Sequence, residues 1–107
     1  MTISHRMVNS TQVFDINGNI TFEDTAELES YILIHIAQGC TNVVINLEKT
    51  SYLTSSALGS FVRIHQTIKD KGITLSMMNI SKEIDNLFSI TGVNRYFSFI
   101  QSENQLR

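Results

Sequence analysis

Proline is missing from this chain altogether, and cysteine occurs once, at Cys40. Without proline there is no Pro-rich linker, and no repeat or low-complexity run divides the 107 residues. A single cysteine excludes an internal disulfide framework and cannot by itself build a structural zinc site, so the cytoplasm is the expected compartment. An excess of one charge is lacking too: 8 Lys and Arg face 10 Asp and Glu, and no basic cluster breaks the balance. Direct nucleic-acid binding is therefore not expected. The longest apolar-leaning run, Tyr31 to Ala37, is interrupted by His35 and is far too short to span a bilayer. The opening residues MTISHRMVNS lack the apolar stretch of a signal peptide, so neither a membrane segment nor export is expected. Glycine is sparse where a phosphate-cradling loop would need it. Gly18 and Gly59 stand singly, with no Lys-Ser or Lys-Thr behind them.

What is present suits one folded domain over residues 1–107. The chain is 42% hydrophobic and 17% charged, the balance of a globular protein able to bury a core. Residues 3–8 and 11–16 read as two short strands joined by a turn at Asn9-Ser10. Thr21 and Asp24 have capping-box spacing, which predicts a helix with Ala26, Leu28, Ile32, Leu33 and Ile36 on its buried side and Gly39 as its left-handed cap. Asn42 to Leu47, NVVINL, is a continuous apolar and β-branched run of the kind covered on both faces, and belongs at the sheet's centre. Leu58, Phe61, Val62, His65 and Ile68 recur at helical offsets. Ile73, Leu75 and Met77 alternate as a strand parallel to NVVINL. Ser81 then offers an N-cap to a third helix ending at Gly92. The segment RYFSFI alternates weakly, as a last short strand, before the polar end QSENQLR.

This order places YLTSSALGS, residues 52–60, at the carboxyl edge of the central strand, where sites in open α/β sheets gather. Ser55 or Ser56 could be read as a nucleophile, but a nucleophile elbow wants glycine two residues to either side. Ser55 has Leu53 and Ala57 there, and Ser56 has Thr54 and Leu58. His65 falls on the apolar face of the following helix, which suits a structural role. His5 and His35 each read as solitary, and no short ligand spacing points to a metal. A phosphorylated-aspartate receiver would need an acidic cluster where this chain has Asn46 and then Glu48. For Thr54, Ser55 and Ser56 the plain reading is an N-cap. One hydroxyl suffices for that, and the surplus leaves a small-residue surface that another protein could approach.

The stretch NLEKTSYLTSSALGSF resembles the signature of STAS domains, specifically of bacterial anti-sigma factor antagonists, in which a buried strand leads to Asp-Ser-Ser/Thr-Gly-Leu-Gly. The likeness extends to the opening hairpin closing in Gly18, to VVINL and GITLSMMNIS, and to LFSITGV, which is similar to the family's Leu-Phe-x-x-x-Gly-Leu stretch. Thr54 stands where the family has aspartate, and Ala57 where it has glycine. The resemblance implies a single α/β domain, a mixed sheet with an N-terminal hairpin and helices mainly on one face. It also implies a non-enzymatic antagonist that needs no cofactor. Its partner would be an anti-sigma factor that is also a serine kinase of the histidine-kinase-like ATPase type, opposed by a phosphatase. The phosphorylated serine falls on Ser55, and Asn19, Thr21, Thr54, Ser56, Ala57 and Ser60 are the expected remainder of the docking patch. A phosphoserine carries about -1.5 to -2 charges, which a helix N-terminus tolerates by roughly 0.3 to 1 kcal/mol, so the switch would act on docking rather than folding. The alternative within the family is an unphosphorylated module, serving as a scaffold or as a subunit of a signalling or transport complex.

Overall fold

The computed structural model describes residues 1–106. The N-terminal alternation forms the expected hairpin: β1 (Thr2–Val8) and β2 (Thr11–Asn17) run antiparallel, with Ile3 opposite Ile16 and Val8 opposite Thr11. Asn9, in the turn, adopts φ 55°, the left-handed conformation its short amide side chain tolerates. Beyond β2 come a 3-10 turn at Phe22–Asp24, α1 (Thr25–His35) and β3 (Asn42–Lys49). α2 (Ser55–Lys69), β4 (Thr74–Met78), α3 (Lys82–Thr91) and β5 (Ser98–Ile100) complete the regular elements. The sheet order is β1-β2-β3-β4-β5, antiparallel at the first pair and parallel thereafter. NVVINL is thus the central strand.

The two faces of this sheet are covered differently. Phe14, Ile16, Val43, Ile45, Leu75 and Met77 point toward the helices and meet Leu28, Ile32, Phe61, Ile64 and Phe88 there. Val13, Val44 and Met78 point the other way, and Leu106 buries itself on them beside Val8 and Ile100. The polar appearance of QSENQLR conceals that contact, because a single apolar side chain leaves no periodic trace. Ser81 and Gly92 bound α3 as expected: the Ser81 hydroxyl accepts from the Ile84 amide at 3.1 Å, and Gly92 is left-handed at φ 78°.

Two expectations about α1 are corrected. Only Leu28 and Ile32 on it are fully buried; Ile36 is half-buried, while Ala26 and Leu33 reach solvent. The cause is position, since α1 packs on α2 and reaches β1, leaving its outer side uncovered. Nor does Gly39 cap the helix. The helix stops at His35 because Ile36 becomes extended, at φ -63° and ψ 123°. Gln12 supplies the cap from the sheet: its amide nitrogen donates to the His35 carbonyl and its oxygen accepts from the Ala37 amide, each at 2.7 Å. Gly39, at φ 81°, serves the turn that follows.

A polar chain crosses the face opposite the helices. Arg6 Nε donates to Asp15 Oδ2 at 2.6 Å, Arg6 Nη2 pairs with Glu103 at 2.6 Å, and Asn46 donates to Asp15 Oδ1 at 2.8 Å. Asn79 continues the chain to Asn46 at 3.1 Å. Partial burial alone would raise the Asp15 carboxyl, but the hydrogen bonds from Arg6 and Asn46 and the nearby positive charges outweigh it and hold the carboxyl below its ordinary range. A depressed carboxyl stabilises the fold above the unfolded-state value and loses that contribution as pH falls through the folded-state value. Asp15→Asn should therefore cost about 1 kcal/mol at neutral pH, a figure kept small because the pair is part-exposed, and the deficit should shrink below about pH 4. Urea unfolding at neutral and acid pH measures both; an equal deficit at the two would contradict the assignment.

Candidate functional site

Two loops converge at the carboxyl edge of β2 and β3. Gly18 turns the chain out of β2 at φ 101°, a conformation strained for residues with a side chain, and its amide donates to the Lys49 carbonyl at 3.1 Å. The Thr50 hydroxyl donates back to the Gly18 carbonyl at 3.1 Å. One step further, the Ile20 amide donates to the Tyr52 carbonyl and the Thr54 amide to the Ile20 carbonyl, both at 3.1 Å. Ile20 and Leu53 therefore pair as an isolated parallel bridge, and both side chains are buried. Asn19 reinforces it, its side-chain oxygen accepting from the Tyr52 amide at 3.0 Å and the Ser51 hydroxyl at 3.1 Å. Residues more than thirty positions apart are thus held as one surface.

Thr54 is the N-cap of α2. Its hydroxyl accepts from the Ala57 amide at 3.4 Å and shares a 2.7 Å contact with the Ser56 hydroxyl. Ser55, between them, is exposed at the first position of the helix. The three consecutive hydroxyls therefore differ in kind: Thr54 and Ser56 bond each other within the cap, and Ser55 points outward beside first-turn amides that have no intrahelical acceptor. Thr54 does with a neutral hydroxyl what an aspartate would do at an N-cap with a charge.

The expected patch is only partly a surface. Asn19, Thr21 and Ser55 are exposed, and Thr54 and Ser56 are half-buried. Ala57 and Ser60 are both 0% exposed, on the inward side of α2, so neither offers area to a partner. The Ala57 methyl group fills core space, and the Ser60 hydroxyl accepts from Arg63 at 3.2 Å. Sequence reasoning missed Phe22 and Tyr52, which are 70% and 58% exposed and flank the stitched loops. Their signal was available: neither aromatic falls on the apolar periodicity of a helix or strand.

Charge on the adjoining turn is acidic. The Thr21 amide donates to Asp24 at 2.8 Å and so holds that carboxyl below its ordinary range, while the Thr21 hydroxyl reaches both Glu23 and Asp24 at 3.0 Å. His65 lies ten positions along α2 from Ser55, roughly 15 Å by helical rise. It packs against Tyr96 and Phe97 at ring distances of 5.7 and 5.9 Å, which is the structural role its place on the apolar face suggests. No side chain among the described residues is placed to take a proton from Ser55, so the site presents a hydroxyl without the base a nucleophile requires.

The cap carries its own test. Thr54→Val keeps the shape but removes the acceptor, and should cost about 1 kcal/mol in urea unfolding. Thr54→Asp restores an acceptor and adds a favourable charge at the helix start, so it should be at least as stable as the parent. A Thr54→Val protein with parental stability would show that the hydroxyl contributes nothing.

Comparison with known proteins gives a consistent pattern. The STAS domain family matches residues 3–106. An anti-sigma-B factor antagonist of Staphylococcus aureus is 30% identical over 78 residues, which are 73% of this chain and 72% of that protein. Among solved structures, an anti-sigma factor antagonist from Mycobacterium paratuberculosis superposes with a TM-score of 0.82 at 17% identity, covering 94% of this chain and 86% of that one. The Bacillus cell-fate determinant SpoIIAA in its phosphorylated form gives 0.71 at 20% identity, covering 96% and 95%. At these identities the superpositions establish a shared fold.

Proposed function

The chain belongs to the STAS domain family, and from that premise we propose that it is a one-domain, cytoplasmic anti-sigma factor antagonist whose docking is switched by phosphorylation of Ser55. It is a non-enzymatic regulator, as the antagonists of the family are. The observation that carries the switch is the division of labour at the mouth of α2. Ser55 offers an exposed hydroxyl with no structural duty, while its neighbours hold the helix end. A kinase can modify it without unfolding the domain. The fitting enzyme is an anti-sigma factor that is also a serine kinase of the histidine-kinase-like ATPase type, with a phosphatase to reverse the step.

Phosphorylation places about -1.5 to -2 charges on a surface whose adjoining turn already carries Glu23 and Asp24. The first-turn amides of α2 and the helix dipole can accommodate that charge within the domain. A partner surface pressed against the site cannot do so without matching cations, and a like or unpaired charge there is costly. Phe22 and Tyr52 supply the aromatic anchors on which interfaces of this kind concentrate their affinity. Asn19 and Thr21 border them. The neutral Thr54, standing where the family has an acidic residue, favours the second reading, a STAS module that binds without being phosphorylated.

Incubation with the cognate kinase and ATP should add one phosphate, absent in Ser55→Ala; transfer persisting in that variant would move the site elsewhere. Ser55→Asp should weaken the anti-sigma factor complex by about tenfold or more with an unchanged circular dichroism spectrum. Unchanged affinity, with no phosphate transfer to the parent, would establish the unphosphorylated scaffold instead. Phe22→Ala and Tyr52→Ala should each weaken the complex by about tenfold, since truncating an aromatic anchor costs more than about 1 kcal/mol, and parental affinity in both would remove the aromatics from the interface.

A further inference from the structure

At the far end of α2 from Ser55, a cleft of about 420 Å³ opens between the end of α1, the loop that follows it and the turn leading from α2 into β4. Its volume falls in the range of about 300–1,000 Å³ usual for small-molecule sites. Thr67, on its α2 side, lies twelve positions from Ser55, roughly 18 Å by helical rise. Leu33, Ile36, Ala37, Cys40, Ile68 and Ile73 give the cleft an apolar wall drawn from separate segments of the chain. Cys40, Ile68 and Ile73 are buried, whereas Leu33, which has the spacing of a core residue, is 38% exposed. The apolar side of α1 therefore runs into the cleft without cover.

Charge at the cleft has one sign. Lys71 is its one charged lining residue, and no Asp or Glu lines it. The ion pairs among the described residues join Arg6 to Asp15 and Glu103, and Arg63 to Glu29, so the Lys71 ammonium has no carboxylate partner there. Two helix carboxyl ends border the cleft, and open carbonyls on them would disfavour an anion. The terminal ones are already taken. Gln12 donates to the His35 carbonyl, the Lys71 and Ile73 amides donate to the Ile68 carbonyl at 3.0 and 3.2 Å, and the Gly72 amide donates to the Lys69 carbonyl at 3.0 Å. Other polar groups of the lining are spent too: the Thr67 hydroxyl donates to the Arg63 carbonyl at 2.9 Å, and the Cys40 thiol donates to the Asn42 carbonyl at 3.2 Å. Lys71 and Thr41, both exposed, remain as donors at the mouth.

From an apolar wall ending in an unpaired cation we infer that the cleft binds a free medium-chain fatty carboxylate. The acyl chain lies along Leu33, Ile36, Ile68 and Ile73, and the carboxylate accepts from the Lys71 ammonium and the Thr41 hydroxyl at the mouth. A small polar anion would leave the wall in water, and an uncharged hydrocarbon would leave Lys71 unused. Only an amphipathic monoanion answers both. Each methylene moved from water onto the wall raises affinity about fourfold. The bound chain covers Leu33 and Cys40, bridges the end of α1 to the turn after α2, and stabilises the folded domain by mass action. This site lies apart from Ser55 and does not rest on the switch.

The probes are hexanoate, octanoate and decanoate, each below its micelle concentration, titrated calorimetrically into the full chain. One ligand should bind per chain, with affinity rising about fourfold for each added methylene. Lys71→Gln should weaken octanoate about threefold to fivefold and leave octanol unchanged, while Lys49→Gln, which removes a cation elsewhere, should alter neither. Ala37→Phe, which fills the cleft, should abolish binding of both with an unchanged circular dichroism spectrum. In the parent, without any substitution, decanoate should slow alkylation of Cys40, the single thiol, by iodoacetamide. It should also shift the amide resonances of residues 33–41 and 67–73. Absence of saturable binding, affinity indifferent to chain length, parental octanoate affinity in Lys71→Gln, or shifts centred on Phe22 and Tyr52 would each overturn the site.

Discussion

A pair of backbone hydrogen bonds between Ile20 and the Tyr52–Thr54 segment fixes where the start of α2, and with it the proposed Ser55 site, lies. They extend the parallel register of β2 and β3 one step beyond the strands proper, into what would otherwise be two independent loops. Because Ile20 and Leu53 are both buried, the link is sealed from competing water and fixed by packing as well as by hydrogen bonding. The start of α2 is consequently held by the sheet, and Ser55 is presented at one place and in one direction. Asn19 and Thr50 spend their side chains on the same junction.

The consequences follow from which groups carry structural duty. Around Ser55 the cap is made by Thr54, Ser56 and the Ala57 amide, and the core by Leu53, Ala57 and Leu58. A charge added to Ser55 breaks none of those contacts. It alters only the potential and shape of a surface that already carries two exposed aromatics and an acidic turn. On the proposed reading, groups that hold the fold and the group that would be modified are adjacent but distinct, so a reversible modification of Ser55 would regulate binding while the folded state persists.

The fold was largely legible because its elements are long in pattern and clearly punctuated. NVVINL could only be a strand buried on both faces, and the spacing of Leu58, Phe61 and Ile68 could only be one face of a helix. Ser81 and Gly92 marked the ends of α3. What escaped depended on contacts across the chain. Gln12 replaces the expected cap of α1 from 23 positions away, which no local signal reveals. Leu106 closes the second face of the sheet as an isolated apolar residue in a polar tail. At the site, the exposed serine was legible from its motif, but the inward turn of Ala57 and Ser60 was not, because small residues fit either side of a helix equally well. Phe22 and Tyr52 were left out of the expected patch because it was drawn from the small polar residues around Ser55.

The most direct test of the central claim compares amide spectra and hydrogen exchange of the unmodified and Ser55-phosphorylated domain. Perturbations should be confined to residues 19–24 and 51–59, while the slowly exchanging amides of Val43 to Leu47 keep their protection. Loss of that protection, or shifts spread through the sheet, would mean that phosphorylation acts on the fold itself and that the separation argued from the α2 cap does not exist.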